Sequence, residues 1–350
     1  MQKIDIKSLE LPALEELLVS LSQPKFRAKQ IFDWLHQKRV SSFAEMKNLP
    51  LALREQLEEM AQITTLTIQC KLVSKLDGTV KYLYALPDGE CVESVLMKYK
   101  HGNSICVSSQ VGCKMGCAFC ASTKAGFVRS LTASEILEQV YQTERDLNLR
   151  ISNIVLMGIG EPLDNYQNVV TFLQLINSPF GANISLRNVS LSTCGLVDKI
   201  DELAKLKLGV TLSISLHASD DATRDSIMPV NHRYNIDALL AACKRYTDTT
   251  NRRISFEYAL IHQKNDSVED AAKLANLLKG QLCHVNLIPV NDVAETSFHQ
   301  SGRAHILRFQ NELIKRGVNA TIRRTLGADI SAACGQLRRN HIKTEEPNEN

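Results

Sequence analysis

The sequence has no apolar run near the roughly 18 residues that a membrane-spanning helix requires. Its first residues, MQKIDIKSLELPALEELL, lack the basic opening and apolar core of a secretion signal, so the expected compartment is the cytoplasm and no membrane partner is expected. An excess of charge of one sign is also lacking. Lys and Arg number 41 against 38 Asp and Glu, a net +3 that permits a nucleic-acid partner through local clustering without demanding one. Ten cysteines scattered irregularly over 350 residues, with no signal for export, argue against a disulfide framework. With 44% hydrophobic and 23% charged residues the composition is globular, and the length suits two domains at about 150 residues each.

One further absence is informative. The stretch CVSSQVGCKMGCAFCASTKAG, from Cys106 to Gly126, spaces Cys113, Cys117 and Cys120 as C-x-x-x-C-x-x-C, with Cys106 seven residues upstream. A structural zinc site takes four ligands, and its usual signature is two paired knuckles. Here one knuckle is missing. The three thiols can bind zinc with a distant fourth ligand such as Cys106 or a histidine. They can hold a four-iron four-sulfur cluster by three irons, leaving the fourth iron open to a substrate. They can also be inert buried thiols.

Residues 1–62 carry helix-period patterning, with Leu14, Leu17, Leu18 and Leu21, then Ile31, Trp34 and Leu35, interrupted by Pro24 and Pro50. Lys25, Arg27, Lys29, Lys38 and Arg39 surround that aromatic segment, as a solvated face or as a phosphate-contacting surface. Residues 63–103 alternate apolar and polar positions around Asp77-Gly78, Asp88-Gly89 and Gly102-Asn103, the pattern of a β-meander. From 104 to 340 strands and helices alternate, which predicts an α/β domain with a parallel sheet. Six strands are expected at 104–109, 151–157, 188–192, 210–216, 254–261 and 284–288, with a short last one at 319–322. Six units fit a partial (β/α)6 barrel better than a closed eight-stranded one. Thr132 and Glu135 form a capping-box signature at the first crossover helix. Residues 341–350 read as a flexible tail.

The segments QVGC, MGIGEP, STCG, SLHAS, HQKND and PVND each follow a predicted strand, so they should meet at one mouth of the barrel. GIGEP fails as a dinucleotide fingerprint because Leu163 occupies the third glycine position and Pro162 crowds the turn. It reads as a tight loop, either simply structural or bringing backbone and the Glu161 carboxylate to a ligand's amine. Ser192, Ser215 and His217 lie at strand ends, where each alone suits a local backbone bond and together they suggest a polar ligand site. Cys334, after the last strand, is either a buried thiol or a reactive one returning to the mouth. Cys70, Cys91, Cys194, Cys243 and Cys283 read as packing.

CKMGCAFC resembles the cluster motif of radical S-adenosylmethionine (SAM) enzymes, in which SAM occupies the open iron. The wider pattern resembles the RlmN/Cfr family of RNA adenosine methyltransferases. It is carried by FRAKQIFDWLHQKRVSSFAEMKNLP, ESVLMKYKHGNSICVSSQVGCKMGCAFCAST, LMGIGEPLDN, SLSTCG, SISLHAS, IMPVNHRYNI, HVNLIPVN and AACGQL, over nearly the whole chain. The resemblance implies a partial radical SAM barrel with an N-terminal accessory domain, helix-hairpin-helix-like, for RNA. It implies that Cys113, Cys117 and Cys120 ligate a 4Fe-4S cluster, and that Gly160, Glu161, Ser192, Ser215, Leu216, His217 and Asn291 bind SAM. It further implies Cys334 as a methyl-carrying cysteine, Cys106 as its partner thiol in a transient disulfide, and Glu93 as proton acceptor.

By the same resemblance the reaction is methylation of adenosine carbon 2 in 23S rRNA and at position 37 of tRNA. That carbon is electron-poor and does not attack the SAM methyl as a nucleophile. One SAM methylates Cys334, and a second, reductively cleaved, gives a radical that takes hydrogen from that methyl. The implied partners are a one-electron reductant of flavodoxin or ferredoxin type and a thiol reductant, with the enzyme a monomer. Within the family the alternative is carbon-8 methylation of the rRNA adenosine; AST after the cluster motif sides with carbon 2. Outside it stand a zinc-stabilised RNA-binding protein and a radical SAM enzyme for a small metabolite.

Overall fold

The computed structural model describes residues 3–124, 126–290 and 298–330. The chain opens with β1 (Ile4–Asp5), α1 (Leu11–Ser20), α2 (Phe26–His36), α3 (Leu51–Met60) and β2 (Ala61–Gln62), and β1 and β2 pair in parallel. Leu14, Leu18, Ile31, Leu35, Leu53 and Leu57 are buried, each pair four residues apart on one helix face. Leu17, Leu21 and Trp34 pack partly buried against the same core. Pro50 immediately precedes the first turn of α3, where its missing N–H leaves no bond unmade.

The meander follows as β3 (Thr67–Val73), β4 (Val80–Ala85), β5 (Cys91–Tyr99) and β6 (Gly102–Cys106), all antiparallel neighbours. Gly78 and Gly89 occupy the expected turns with φ of +72° and +88°. Gly102 is not in the third turn but opens β6, where a Cβ would stand 2.6 Å from the Ser152 hydroxyl. That glycine allows close strand approach.

The remaining elements are β7 (Gln110–Gly112), α4 (Ala121–Lys124), β8 (Phe127–Ser130), α5 (Ala133–Leu147), β9 (Ile151–Leu156), α6 (Tyr166–Asn177), β10 (Val189–Thr193) and α7 (Val197–Lys205). After them come β11 (Thr211–Ser215), α8 (Asp221–Ile227), α9 (Ile236–Thr250), β12 (Ile254–Leu260), α10 (Val268–Leu277), β13 (Cys283–Pro289), α11 (Arg303–Lys315) and β14 (Ala320–Ile322). One ten-stranded sheet runs β14-β13-β12-β11-β10-β9-β6-β5-β4-β3. Within this sheet every pairing from β6 to β14 is parallel, with helices crossing between successive strands, while β7 and β8 pair antiparallel as a separate ribbon. The six expected units and the short last strand are all present, with edges shifted by up to three residues. The meander is not a separate layer: β5 pairs with β6, so it extends the barrel sheet.

The capping box at α5 forms as expected. Thr132 Oγ1 accepts from the Glu135 N–H, and Glu135 Oε2 accepts from the Thr132 N–H at 2.8 Å. On α5 the fully buried Glu138 meets Lys7 at 2.8 Å, which seats the N-terminal helices on the barrel. A single apolar core runs through both. Among the described residues no helix is long and apolar enough to cross a membrane.

Candidate active site

The three-cysteine loop leaves β7 and returns as β8. Cys113 N–H donates to the Gly126 carbonyl at 3.1 Å, and Gly112, at φ +77°, approaches so closely that a Cβ would lie 1.8 Å from that oxygen. Further along, Cys120 N–H donates to Cys117 O at 3.1 Å, and Thr123 Oγ1 donates to Cys120 O at 2.9 Å. Met115 and Phe119 of the loop pack against Ile227, Met228 and Val290. Burial, reinforced by the neighbouring thiols, pushes Cys117 upward; burial pushes Cys113 up to about 12. Thiolates crowded in this way need a cationic centre to hold them.

No three His, Cys, Asp or Glu side chains close around one ion among the described residues. That is no obstacle to a four-iron cluster, which takes each thiolate on a different iron. All three cysteines line a single cavity of about 360 Å³ at the C-terminal ends of the parallel strands.

On the far wall, after β9, Gly160 holds φ +107° and a Cβ there would stand 2.6 Å from Gln110. The MGIGEP loop is therefore tight for packing reasons as well as open to the cavity. Glu161, buried, accepts from Leu163 N–H at 3.0 Å and Cys194 N–H at 2.7 Å. Burial raises its carboxyl, and those bonds pull it back. The Thr193 side chain and the Cys194 thiol bond the same carboxyl, which lines the cavity. Cys194 itself lines the cavity, a place the sequence did not give it.

Ser192 on β10, Ser215 on β11 and His217 beyond it line the same space. His217 adopts the left-handed conformation, φ +56°. Its Nδ1 accepts from Ala259 N–H at 2.9 Å, which places the ring proton on Nε2, and burial pulls the imidazole down to about 3. Leu216 is fully buried and does not line the cavity; its N–H reaches Glu257 O and its carbonyl accepts from Arg224. Any contact with a ligand would be through backbone.

On the antiparallel side, Cys106 of β6 stands opposite Val95 of β5, and Glu93 lies two residues along the same face. Diagonal neighbours of this kind are about 7–8 Å apart, and both line the cavity. Glu93 is 3.0 Å from the Lys81 ammonium, with both side chains buried. Burial holds the Cys106 thiol up at about 11, with Arg323 acting against it. Asn291 and Cys334 lie outside the described residues.

Three features in and around the cavity escaped sequence reading. Glu257 on β12 is a buried carboxylate on the cavity wall. Arg224, fully buried, donates to Cys194 O at 2.8 Å, Ser215 O at 3.2 Å and Leu216 O at 3.1 Å, tying two strand ends together. Lys81 was hidden by its place in an alternating strand. Asn265, from the HQKND segment, bonds His217 O and Ala259 O at 2.7 and 2.8 Å. On the N-terminal helices, Lys25 and Lys29 are exposed and Arg27 is half-buried, but Arg39 turns inward to Glu144 at 2.6 Å and over Tyr141. Arg39 therefore leaves the expected basic surface.

Residues 107–275 match the Radical SAM superfamily, and residues 4–63 match the Ribosomal RNA large subunit methyltransferase N-terminal domain. A protein of Lachnospira eligens named as a probable dual-specificity RNA methyltransferase RlmN is 50% identical over 97% of each chain. A likewise named protein of Clostridium novyi is 51% identical over 97% of this chain and 99% of its own. The crystal structure of a radical SAM methyltransferase from Sphaerobacter thermophilus superposes with a TM-score of 0.90 at 42% identity, covering 95% of this chain and 98% of that one. With identity at this level along nearly its entire length, the chain belongs to the RlmN family of radical SAM RNA methyltransferases.

Proposed function

We propose that this enzyme methylates carbon 2 of adenosine in 23S rRNA and at position 37 of tRNA, in the cytoplasm and as a monomer, with Cys334 carrying the methyl group. The observation that supports this most is the shared cavity. Cys113, Cys117, Cys120, Glu161, Ser192, Ser215 and His217 meet there, facing Cys106 and Glu93. In this reading Cys113, Cys117 and Cys120 hold a 4Fe-4S cluster; Gly160, Glu161, Ser192, Ser215, His217, the Leu216 backbone and Asn291 hold SAM. When bound, cluster and SAM supply the one-electron chemistry that an electron-poor ring carbon requires. The partners this entails are a flavodoxin- or ferredoxin-type electron donor and a thiol reductant.

The chain's own groups divide the remaining work. Cys334, as thiolate, accepts a methyl group by displacement. Glu93, aimed by Lys81, takes the proton from the substituted ring carbon. Cys106 then gives up its proton and attacks the Cys334 sulfur; the carbon–sulfur bond breaks with its electron pair left on the carbon, which takes up a proton to become the methyl group, and a thiol reductant opens the resulting disulfide. Residues 1–62 serve as the RNA-binding module through Lys25, Arg27 and Lys29, and Arg323 and Arg324 meet RNA at the cavity mouth.

Peptide mass spectrometry of protein purified from cells tests the central claim: Cys334 should carry a methyl group. Nucleoside analysis of treated RNA should give 2-methyladenosine, whereas 8-methyladenosine would assign carbon 8 instead. An unmodified Cys334, in protein that retains iron and sulfide, would refute the methyl-carrier role. Neutralising Lys25, Arg27 and Lys29 together should weaken RNA binding and flatten its salt dependence; unchanged binding would remove the module from the interface.

A further inference from the structure

The ten strands of the sheet run in one hydrogen-bonded order from β14 at one edge to β3 at the other, and no pairing among the described residues closes them into a ring. The chain leaves β14 with Arg323 N–H donating to Leu287 O at 2.8 Å. Arg323, Arg324, Thr325 and Leu326 then line the cavity. Beyond them the segment reaches the turn between β3 and β4, at the opposite end of the strand order.

The junction there is built from three hydrogen bonds between segments 250 or more residues apart. Ser74 Oγ donates to Asp329 Oδ1 at 2.7 Å and Lys75 N–H donates to Asp329 Oδ2 at 2.8 Å, so one carboxylate takes a bond on each oxygen. In the other direction Gly327 N–H donates to Asp77 Oδ2 at 2.8 Å. Gly327 holds φ +63°, which glycine adopts without steric cost. Ser74 Oγ also accepts from the N–H groups of Leu76 and Asp77, at 3.1 and 3.3 Å, which leaves its proton for Asp329. The Gly327 bond is the chief cause that holds the Asp77 carboxyl down at about 2, and the Ser74 bond chiefly lowers Asp329. Both are carboxylates at neutral pH. Both are also exposed, so the tie can open and reform without stranding a buried charge.

We propose that Ser74, Asp77 and Asp329 are positioning residues that anchor the segment carrying Cys334 to the β3–β4 turn and so hold that cysteine within reach of the cavity. This rests on the reading of Cys334 as the methyl carrier. Cys334 follows Asp329 by five residues, a length of chain that spans about 18 Å at most. With the tie undone, the last fixed point is Arg323, eleven residues away. The effective concentration of a tethered group falls roughly as the −3/2 power of tether length, so this lengthening dilutes Cys334 at the cavity about threefold. A cysteine that must meet SAM, an adenine and Cys106 in one turnover is slowed at each meeting.

The test gives cluster-loaded wild type and the double variant Asp77→Ala/Asp329→Ala the same SAM, reductant and RNA, and counts methylated adenosine against 5′-deoxyadenosine, one of which forms per SAM reductively cleaved. The double variant should yield about threefold less methylated adenosine per cleaved SAM, and Asp329→Asn, which keeps one acceptor oxygen, should fall between. A merely structural role would lower both products together and leave their ratio unchanged, which would overturn the assignment. Hydrogen exchange gives a readout independent of turnover: the Lys75 and Gly327 amides should exchange more slowly in wild type than in the double variant. Exchange of both amides at open-chain rates in wild type would overturn the anchor without needing any variant to fold. Wild type with no methyl on Cys334 would instead sink the methyl-carrier reading, and this proposal with it, however well the two amides are protected.

Discussion

Replacing Arg224 with methionine should destabilise the enzyme far more than its place on a seven-residue helix suggests. The guanidinium is fully buried and bonds five acceptors: Leu216 O, Asn231 Oδ1, Tyr234 O, Cys194 O and Ser215 O. Two of these, to Asn231 and Cys194, are 2.8 Å long and are the strongest. Hydrogen bonds to charged groups contribute about 1.5–3 kcal/mol each. Counting the two short bonds alone gives roughly 3–6 kcal/mol, and partial relaxation around a smaller side chain brings the expected loss to about 3–5 kcal/mol. Burial lowers the Arg224 pKa, yet an arginine stays charged at any working pH, so the loss should be the same at pH 6 and pH 8. Urea denaturation followed by circular dichroism reads it as a fall in midpoint. Arg224→Lys should recover little, because an ammonium has three donors at one point and cannot span the fork. Since the carbonyls released include Ser215 and Leu216, SAM affinity should fall along with stability. A loss under about 1 kcal/mol for the methionine variant would show that the strand ends hold without this clamp.

Lys7→Met removes one of the two cations on buried Glu138, leaving Arg145 at 2.6 Å, and should cost about 1.5–3 kcal/mol in the same assay. Full stability in this variant would mean that the N-terminal helices are seated by apolar contacts alone. Gly112→Ala drives a methyl into the Gly126 carbonyl and should displace Cys113, lowering the iron and sulfide retained per chain while far-ultraviolet circular dichroism stays unchanged. Retained iron would refute the claim that this close approach holds the loop. Acid should act through His36 and His217, both lowered to about 3 by burial. In the unfolded chain they take up protons below about pH 6.5 that the folded chain refuses. Their contribution to stability is thus complete above that pH and is lost as pH falls towards 3. Between pH 6 and 5 this amounts to roughly 2 kcal/mol, and His36→Leu should halve the slope. A slope unaffected by that change would place the proton uptake elsewhere.

What could be read from the sequence were features set by local chemistry: the strand succession, the capping box at Thr132 and Glu135, the three-cysteine spacing and the glycine turns at Gly78 and Gly89. What could not were features set by which faces the tertiary fold covers. Lys81 alternates with apolar neighbours and reads as a solvent-facing residue, but both faces of β4 are buried, so it needed Glu93. Arg39 reads as part of a basic surface until α5 brings Glu144 and Tyr141 beneath it. Arg224 in DATRDSI looks like an exposed helical charge, and only the convergence of β10 and β11 reveals its acceptors. Glu257, inside ISFEYAL, could have been flagged as a carboxylate in an apolar strand, though its partner Asn286 lies 29 residues away and is placed by strand register alone.

The single sheet also accounts for how two kinds of chemistry share one space. Parallel strands meet the cavity chiefly at their C-terminal ends, which suits a ligand held by loops, and the described residues proposed to hold SAM come from β9, β10, β11 and their following turns. An antiparallel pair can present side chains along its length, and Glu93 and Cys106 come from β5 and β6. The join at β6, antiparallel to β5 and parallel to β9, is what sets the two groups against each other. If the meander were an independent linker, its position relative to the cluster loop would vary with every fluctuation of the connection. As edge strands of the same hydrogen-bonded sheet, further braced where Tyr84 meets Thr143 of α5 at 2.7 Å, β4 and β5 hold Glu93 at a fixed distance from the barrel floor. The proton-acceptor role proposed for Glu93 requires that rigidity, because general-base transfer works only within hydrogen-bond reach.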